Sequence, residues 1–191
     1  MMQHSAQVLA LAANVKLAIF DVDGVLTDGR LVLAPDGQET KIFHVRDGLG
    51  LVMLRDSGVE LAIITGRESR VVARRMAELG IQRVFQGQSN KLIALELLIN
   101  ELQVVPAEVC YVGDDLPDLP VMMRVGLPIA VADAHWKLLD YAASVTTQNG
   151  GHGAVREVCE LLLAAQGKLD EQIAKFEISD QRSSADDKLL V

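Results

Sequence analysis

Two aspartates stand two residues apart in the run Asp21-Val22-Asp23-Gly24, directly after the apolar residues 17–20. The short apolar run predicts a buried strand, so both carboxylates stand at its carboxyl end, the edge where open α/β sheets bind ligands. Carboxylates this close repel each other, and a cation or a shared proton has to offset that repulsion. The pair therefore indicates a metal site or a proton-sharing site, and a reaction that uses it.

Three further motifs follow predicted strands. Thr65-Gly66 ends the second strand, Gly113-Asp114-Asp115-Leu116-Pro117-Asp118 follows the fourth, and Lys91 lies near the start of the helix after the third. Because the carboxyl ends of parallel strands meet at one edge, we expect these groups to converge on the first aspartate pair. Read singly, Asp115 is equally a helix cap, Lys91 a solvated helix residue and Asp118 an exposed helix residue.

The converging groups are those that metal-assisted phosphoryl transfer requires. Carboxylate oxygens suit Mg²⁺. One aspartate can attack phosphorus to form an aspartyl phosphate, and a second can protonate the leaving oxygen and then activate water. A hydroxyl, a backbone N–H and an ammonium group can bind the transferring oxygens. The residues therefore predict a Mg²⁺-dependent phosphoryl-transfer site.

The elements that must position these groups alternate between strands and helices. This alternation predicts an α/β fold with a doubly wound parallel sheet. Residues 30–45 depart from it, because two β-like runs flank Pro35-Asp36-Gly37 and predict a β-hairpin inserted after strand one. We expect one domain over residues 1–166 and a partly flexible C-terminal tail over 167–191. The tail is either disordered or folds over a neighbouring subunit's site.

Charge and composition exclude several classes of protein. The 191 residues include 18 basic and 26 acidic ones, a formal net charge of −8, which argues against nucleic-acid binding. No apolar stretch approaches the ~20 residues of a membrane span, and no signal-peptide pattern opens the chain. Cys110 and Cys159 form no CxxC motif and read as buried thiols. We expect a cytoplasmic protein that binds neither nucleic acid nor membranes.

The ordered motifs resemble those of the haloacid dehalogenase superfamily of phosphatases. The resemblance rests on Asp-x-Asp-x-Val, a strand-terminal Thr, a Lys and Gly-Asp-Asp-x-x-Asp, in that order. It implies a Rossmann-like fold in which Asp21 is the nucleophile and a Mg²⁺ ligand. It also implies that Asp23 is the general acid/base, with its backbone carbonyl on the metal, and that Asp114 is the third ligand. The other implied roles are phosphate binding by Thr65, Gly66 and Lys91, and outer-shell support of the metal by Asp115 and Asp118.

Members of this superfamily usually carry an inserted cap domain that closes the site and selects the substrate. The spacing of the motifs here leaves no room for a cap domain, so the site should be open unless a neighbouring subunit covers it.

Together with the hairpin, the phrases at 21–28, 43–48 and 150–157 are similar to the 3-deoxy-D-manno-octulosonate 8-phosphate (KDO 8-phosphate) phosphatase family. This resemblance implies a homotetramer assembled through the hairpins. It also implies the release of phosphate from a sugar-acid phosphate in lipopolysaccharide synthesis.

A sugar-acid phosphate carries a carboxylate as well as a phosphate. Arg46 and Arg67 are the candidates for binding it, because arginine can hold a carboxylate through two hydrogen bonds. Arg46 alternatively forms a surface ion pair with Asp47 or a neighbour. The glycine-rich residues 150–153 precede a helix and either bind an anion or form a plain turn. Two functional alternatives remain: a phosphatase for another sugar-acid phosphate, of the sialic-acid type, and a non-catalytic phospho-accepting or scaffold domain.

Overall fold

The computed structural model describes residues 4–186, and side chains as far as residue 177. In chain order its elements are α1 (Ala6–Ala13), β1 (Leu17–Phe20), β2 (Val32–Leu33), β3 (Glu39–Thr40), α2 (Val45–Asp56), β4 (Glu60–Ile64), α3 (Arg70–Glu78), β5 (Arg83–Phe85), α4 (Lys91–Leu102), β6 (Val109–Gly113), α5 (Leu119–Met122), β7 (Leu127–Ala130), α6 (Trp136–Leu139), β8 (Ser144–Val145), α7 (Ala154–Ala165) and α8 (Leu169–Asp186). Short 3₁₀ turns at Pro106–Glu108 and Leu116–Asp118 precede β6 and α5. None of the described helices is long and apolar enough to cross a membrane.

Six strands form one parallel sheet in the order β5-β4-β1-β6-β7-β8. The central strand β1 lies between β4 and β6, with Phe20 opposite Ile63 on one side and Val112 on the other. The residues that follow these three strands therefore emerge at one edge of the sheet. The α/β fold with a doubly wound parallel sheet that the sequence predicts is confirmed.

Helices cover both faces of the sheet and bury aliphatic side chains against it. On one face, α1, α2, α3 and α7 contribute to a core that includes Val8, Leu54, Met76 and Leu162. On the other face, α4, α5 and α6 contribute to a core that includes Leu95, Met122 and Leu138. Because both faces are covered, the central strand β1 is apolar along its whole length and fully buried, and Asp21 follows directly at its end.

The region predicted as a hairpin contains a short antiparallel pair. Val32 pairs with Thr40 and Leu33 pairs with Glu39 around the turn at 35–37. The ordered pairing is shorter than the predicted β-like runs, since residues 41–44 are not strand and α2 already begins at Val45. The pair lies apart from the main sheet. Leu33 within it is 61% exposed, and Ile42 shortly after it is 70% exposed.

Most of the predicted tail is helical. Helix α8 spans Leu169–Asp186 and packs against α7, and Gln172 near its start is buried. The apolar residues 189–191, which end the predicted tail, lie outside the described residues.

Candidate active site

The ends of three adjacent strands bring the predicted residues together. Asp21 follows β1, Thr65 follows β4 and Asp114 follows β6. They open into a cleft of about 290 Å³. Its lining comprises Asp21, Asp23, Gly29, Thr65, Gly66, Arg67, Lys91, Asp114, Asp115, Pro117 and Asp118. Every site residue expected from the sequence is among them except Arg46.

Three carboxylates face one another at the base of this cleft. Asp21, Asp114 and Asp118 each place one oxygen so that all three atoms lie within 4.8 Å of one another. Burial, reinforced by the charge of Asp118, raises the pKa of Asp21 to about 6. Burial and the charges of Asp118 and Asp21 raise the pKa of Asp114 to about 8. This excess of negative charge on hard oxygen donors fits a divalent cation such as Mg²⁺.

Lys91 is the cation of this cluster. Its Nζ lies 2.6 Å from Asp21 Oδ2 and 2.6 Å from Asp118 Oδ1, and 3% of the side chain is exposed. Burial alone lowers the pKa of Lys91, but the two carboxylates outweigh burial and raise it above its usual value. Lys91 is therefore a buried, charged contact of the proposed nucleophile and not a solvated helix residue.

Asp118 is more deeply buried than the sequence indicates. The 3₁₀ turn Leu116–Asp118 directs its carboxylate inward, where it accepts hydrogen bonds from Lys91, from the Tyr111 hydroxyl at 2.6 Å and from the Asp114 amide at 2.9 Å. The reading of Asp118 as an exposed helix residue is wrong. Asp115 caps the same turn by accepting a hydrogen bond from the Leu116 amide at 2.8 Å.

Tyr111 is a site residue that sequence reasoning missed. It lies in the middle of β6 and is fully buried. Burial, followed by the charges of Asp118 and Asp21, raises the pKa of Tyr111 well above its usual value, so its hydroxyl remains a neutral donor. A tyrosine in an otherwise apolar buried strand was the available signal, because a buried hydroxyl needs a partner.

The carboxylate of Asp23 belongs to a second group of charges. It contacts the ammonium of Lys41, and Arg67 Nε lies 3.8 Å from its Oδ2. Glu39 Oε1 lies 3.3 Å from Lys41 Nζ and 3.2 Å from Arg67 Nη2. Sequence reasoning missed Glu39 and Lys41, since their contacts with the cleft arise only when the hairpin folds back against the end of β1.

Two glycines allow the loops around the cleft to approach closely. Gly24 has a φ of +89°, and a Cβ at this position would lie 2.0 Å from Asp114 Oδ2. A Cβ on Gly150 would lie 1.7 Å from the carbonyl oxygen of Gly24. The loop after β1 is thus pressed between the β6 end and the segment that leads into α7.

The amino end of α7 is occupied by a carboxylate of the protein itself. Asp47 accepts hydrogen bonds from the Arg156 amide at 2.7 Å and from the Gly153 amide at 3.3 Å. Burial raises the pKa of Asp47, although these amides oppose the shift. The alternative interaction of Arg46, an ion pair with Asp47 or another neighbour, is not formed in the described part of the chain. Arg46 is exposed, lies outside the cleft and makes no ion pair within the described part of the chain.

Sequence and structural comparisons give consistent relatives. Residues 80–158 match the haloacid dehalogenase-like hydrolase family. A 3-deoxy-D-manno-octulosonate 8-phosphate phosphatase of Escherichia coli K12 is 56% identical over 167 residues, which is 87% of this chain and 89% of that protein. The Yersinia pestis phosphatase is 52% identical over 85% of this chain and 87% of its own length.

Among solved structures, the phosphatase of Moraxella catarrhalis in complex with a magnesium ion, a phosphate ion and KDO is 46% identical to this chain. It superposes with a TM-score of 0.88 over 91% of this chain and 99% of that one. The Yersinia pestis phosphatase structure is 51% identical and has a TM-score of 0.85, over 86% and 89% of the two chains.

Proposed function

Because the chain belongs to the KDO 8-phosphate phosphatases of the haloacid dehalogenase-like hydrolases, we propose that it hydrolyses KDO 8-phosphate to KDO and phosphate. The reaction is Mg²⁺-dependent and serves lipopolysaccharide synthesis. The observation that carries the proposal is the cluster of Asp21, Asp114 and Asp118 around Lys91, in a chain 56% identical to a phosphatase of that name.

The residues for Mg²⁺ are those of the carboxylate cluster. Asp21 and Asp114 would hold the ion, together with the backbone carbonyl of Asp23, and Asp115 and Asp118 would support it from outside. When bound, the ion neutralises charge on the phosphate oxygens and so lowers the barrier to their transfer.

The first chemical step uses both aspartates of the first motif. A carboxylate oxygen of Asp21 attacks phosphorus, and the bond from phosphorus to the ester oxygen breaks. The electron pair of that bond goes to the leaving oxygen, which takes a proton from Asp23. The sugar acid leaves, and the phosphoryl group remains on Asp21.

The second step returns the enzyme to its starting state. Water attacks phosphorus while Asp23 takes its proton, and the bond between phosphorus and the Asp21 oxygen breaks. Thr65, the Gly66 amide and Lys91 bind the phosphoryl oxygens in both steps, which places their charge against fixed donors. Arg67 is half-exposed at the cleft and is the remaining candidate for the substrate carboxylate.

The assembly that we propose is a homotetramer formed through the hairpins. Leu31, Leu33 and Ile42 are each at least half exposed, which is unfavourable for an isolated two-stranded ribbon. Residues 1–166 form the phosphatase domain in this proposal, and α8 is an appended helix. Cys110 and Cys159 are free and buried, which suits the reducing cytoplasm that we propose as its location.

Phosphate release from KDO 8-phosphate, with and without EDTA, tests the function. We expect release that requires Mg²⁺ and that is abolished in Asp21→Asn. A nine-carbon sugar-acid phosphate of the sialic-acid type, assayed in parallel, should be a poorer substrate by kcat/KM. Phosphate release by Asp21→Asn at the wild-type rate would show that the proposed chemistry is wrong. A higher kcat/KM for the nine-carbon substrate would show that the proposed substrate is wrong.

A further inference from the structure

A buried lysine of the hairpin region holds the carboxylate of Asp23. The ammonium of Lys41 contacts Asp23 Oδ1, and 1% of the Lys41 side chain is exposed. A lysine is seldom buried to this degree unless its charge is paired. Its second partner is Glu39 Oε1, 3.3 Å from Nζ. Two carboxylates thus compensate the buried charge, and one of them belongs to the proposed general acid/base.

The two oxygens of the Asp23 carboxylate have different surroundings. Oδ1 contacts Lys41, whereas Oδ2 lies 3.8 Å from Arg67 Nε, beyond hydrogen-bond distance. No described residue donates a hydrogen bond to Oδ2. A carboxylate anchored through one oxygen keeps its orientation, and its other oxygen remains available to exchange a proton. This arrangement suits a group that must reach the same reacting atom in every turnover.

Each aspartate of the first motif therefore has a lysine of its own. Lys91 contacts Asp21 and lines the cleft, where it can also reach a bound phosphate. Lys41 contacts Asp23 and is not among the residues that line the cleft. Lys41 is thus placed to act through Asp23 and not on the phosphate itself.

We propose that Lys41 is a positioning residue of the reaction: it holds Oδ1 of Asp23 so that Oδ2 gives the proton to the leaving oxygen and then takes one from the attacking water. The proposal rests on the acid/base role of Asp23 in the proposed function. Because Lys41 directly follows β3, the position of the hairpin also sets the position of this carboxylate.

The test compares Lys41→Met, which removes the charge at similar length, with Lys41→Arg, which keeps it, and with Asp23→Asn. Lys137→Met is the matched control, because Lys137 lies outside both the hairpin and the cleft and pairs with Asp140 at 2.9 Å on the surface. Each variant is assayed with Mg²⁺ on KDO 8-phosphate and on 4-nitrophenyl phosphate, whose leaving group departs without a proton. The measurements are kcat, KM and the pre-steady-state burst of nitrophenolate.

For Lys41→Met we expect kcat on KDO 8-phosphate to fall about 10- to 100-fold while KM changes less than about 3-fold. The reason is that a misplaced Asp23 carboxylate loses part of the rate acceleration that acid/base catalysis provides. On 4-nitrophenyl phosphate the first step should stay fast and the second slow, so a burst precedes slow turnover. Lys41→Arg should recover much of the rate, and Lys137→Met should match the wild type. A lysine that only stabilised the fold would lower the rate on both substrates by the same factor, because its loss would only reduce the amount of active enzyme.

Wild-type kcat in Lys41→Met, beside a strongly impaired Asp23→Asn, would overturn the role of Lys41 and leave the proposed function intact. Wild-type kcat in Asp23→Asn would instead remove the acid/base role of Asp23, and the role of Lys41 with it. Circular dichroism establishes that each variant is folded. If Lys41→Met does not fold, Lys41→Gln replaces it with the same expectations.

Discussion

Replacing Lys91 by methionine leaves two buried carboxylates without their shared cation. Nζ lies 2.6 Å from an oxygen of Asp21 and 2.6 Å from an oxygen of Asp118, away from solvent. Removing one partner of a buried ion pair costs about 3–5 kcal/mol, because the remaining charge is left in a medium of low polarity. We therefore expect metal-free Lys91→Met to lose about 4 kcal/mol of unfolding free energy at pH 8.

The loss should be smaller in mild acid. Burial and Asp118 already raise the pKa of Asp21 to about 6 against the opposing effect of Lys91, and the variant should keep the proton to still higher pH. With a raised carboxyl pKa, ionisation destabilises the folded state as pH rises from about 4 towards the folded-state value. For each unit by which the pH falls, protonating the unpaired carboxyl becomes more favourable by about 1.4 kcal/mol. The unfolding free energy that Lys91→Met loses should therefore shrink to about 1 to 2 kcal/mol at pH 6.

Urea unfolding followed by circular dichroism, with EDTA at pH 6 and pH 8, measures both values. Lys137→Met is the matched control, since Lys137 pairs with Asp140 at 2.9 Å on the surface and its removal should leave the unfolding midpoint unchanged. A deficit in Lys91→Met below about 1 kcal/mol at pH 8, or an equal deficit at both pH values, would refute the reasoning that unpaired buried carboxylates are its cause.

Three further results are expected. Asp47→Ala should lower the unfolding free energy by about 1–2 kcal/mol, because the start of α7 loses its carboxylate cap, and an unchanged urea midpoint would contradict this. Gly150→Ala should lose phosphatase activity and about 1–3 kcal/mol of stability, since its Cβ would meet the backbone of Gly24, while wild-type kcat would show that the loops can separate. With its pKa raised to about 8, the Asp114 carboxyl of the metal-free protein should release a proton when Mg²⁺ binds at pH 7. Calorimetry in buffers of different ionisation heat should detect these protons, and their absence would show that the pKa of Asp114 is ordinary.

The part of the site that could be predicted from the sequence is the part that parallel strands determine. Asp21, Thr65 and Asp114 each directly follow an apolar strand, and the three strands are neighbours in the sheet. Side chains in such positions meet whatever the rest of the fold does. The alternation of strands and helices, with polar residues directly after the apolar strands, was therefore sufficient to predict this part of the site.

The remaining contacts depend on geometry that no local pattern encodes. The orientation of Asp118 follows from a 3₁₀ turn, which a helical reading of the same residues places differently. Lys41 and Asp23 meet only because the hairpin turns back over the end of β1. Arg46 lies in the first turn of α2, exposed and outside the cleft. Of the two readings of residues 150–153, an anion site or a plain turn, the sequence could not show that Asp47, more than a hundred residues earlier, accepts the amides at the start of α7.

The close packing of Gly150 on the loop of Gly24 has a consequence for how the protein is made. A ribosome produces this loop more than a hundred residues before the segment that presses it into place. A nascent chain that stops short of residue 150 lacks one wall of the loop between Asp21 and Asp114. The newly made enzyme should therefore gain its phosphatase activity only after the segment before α7 has docked on this loop.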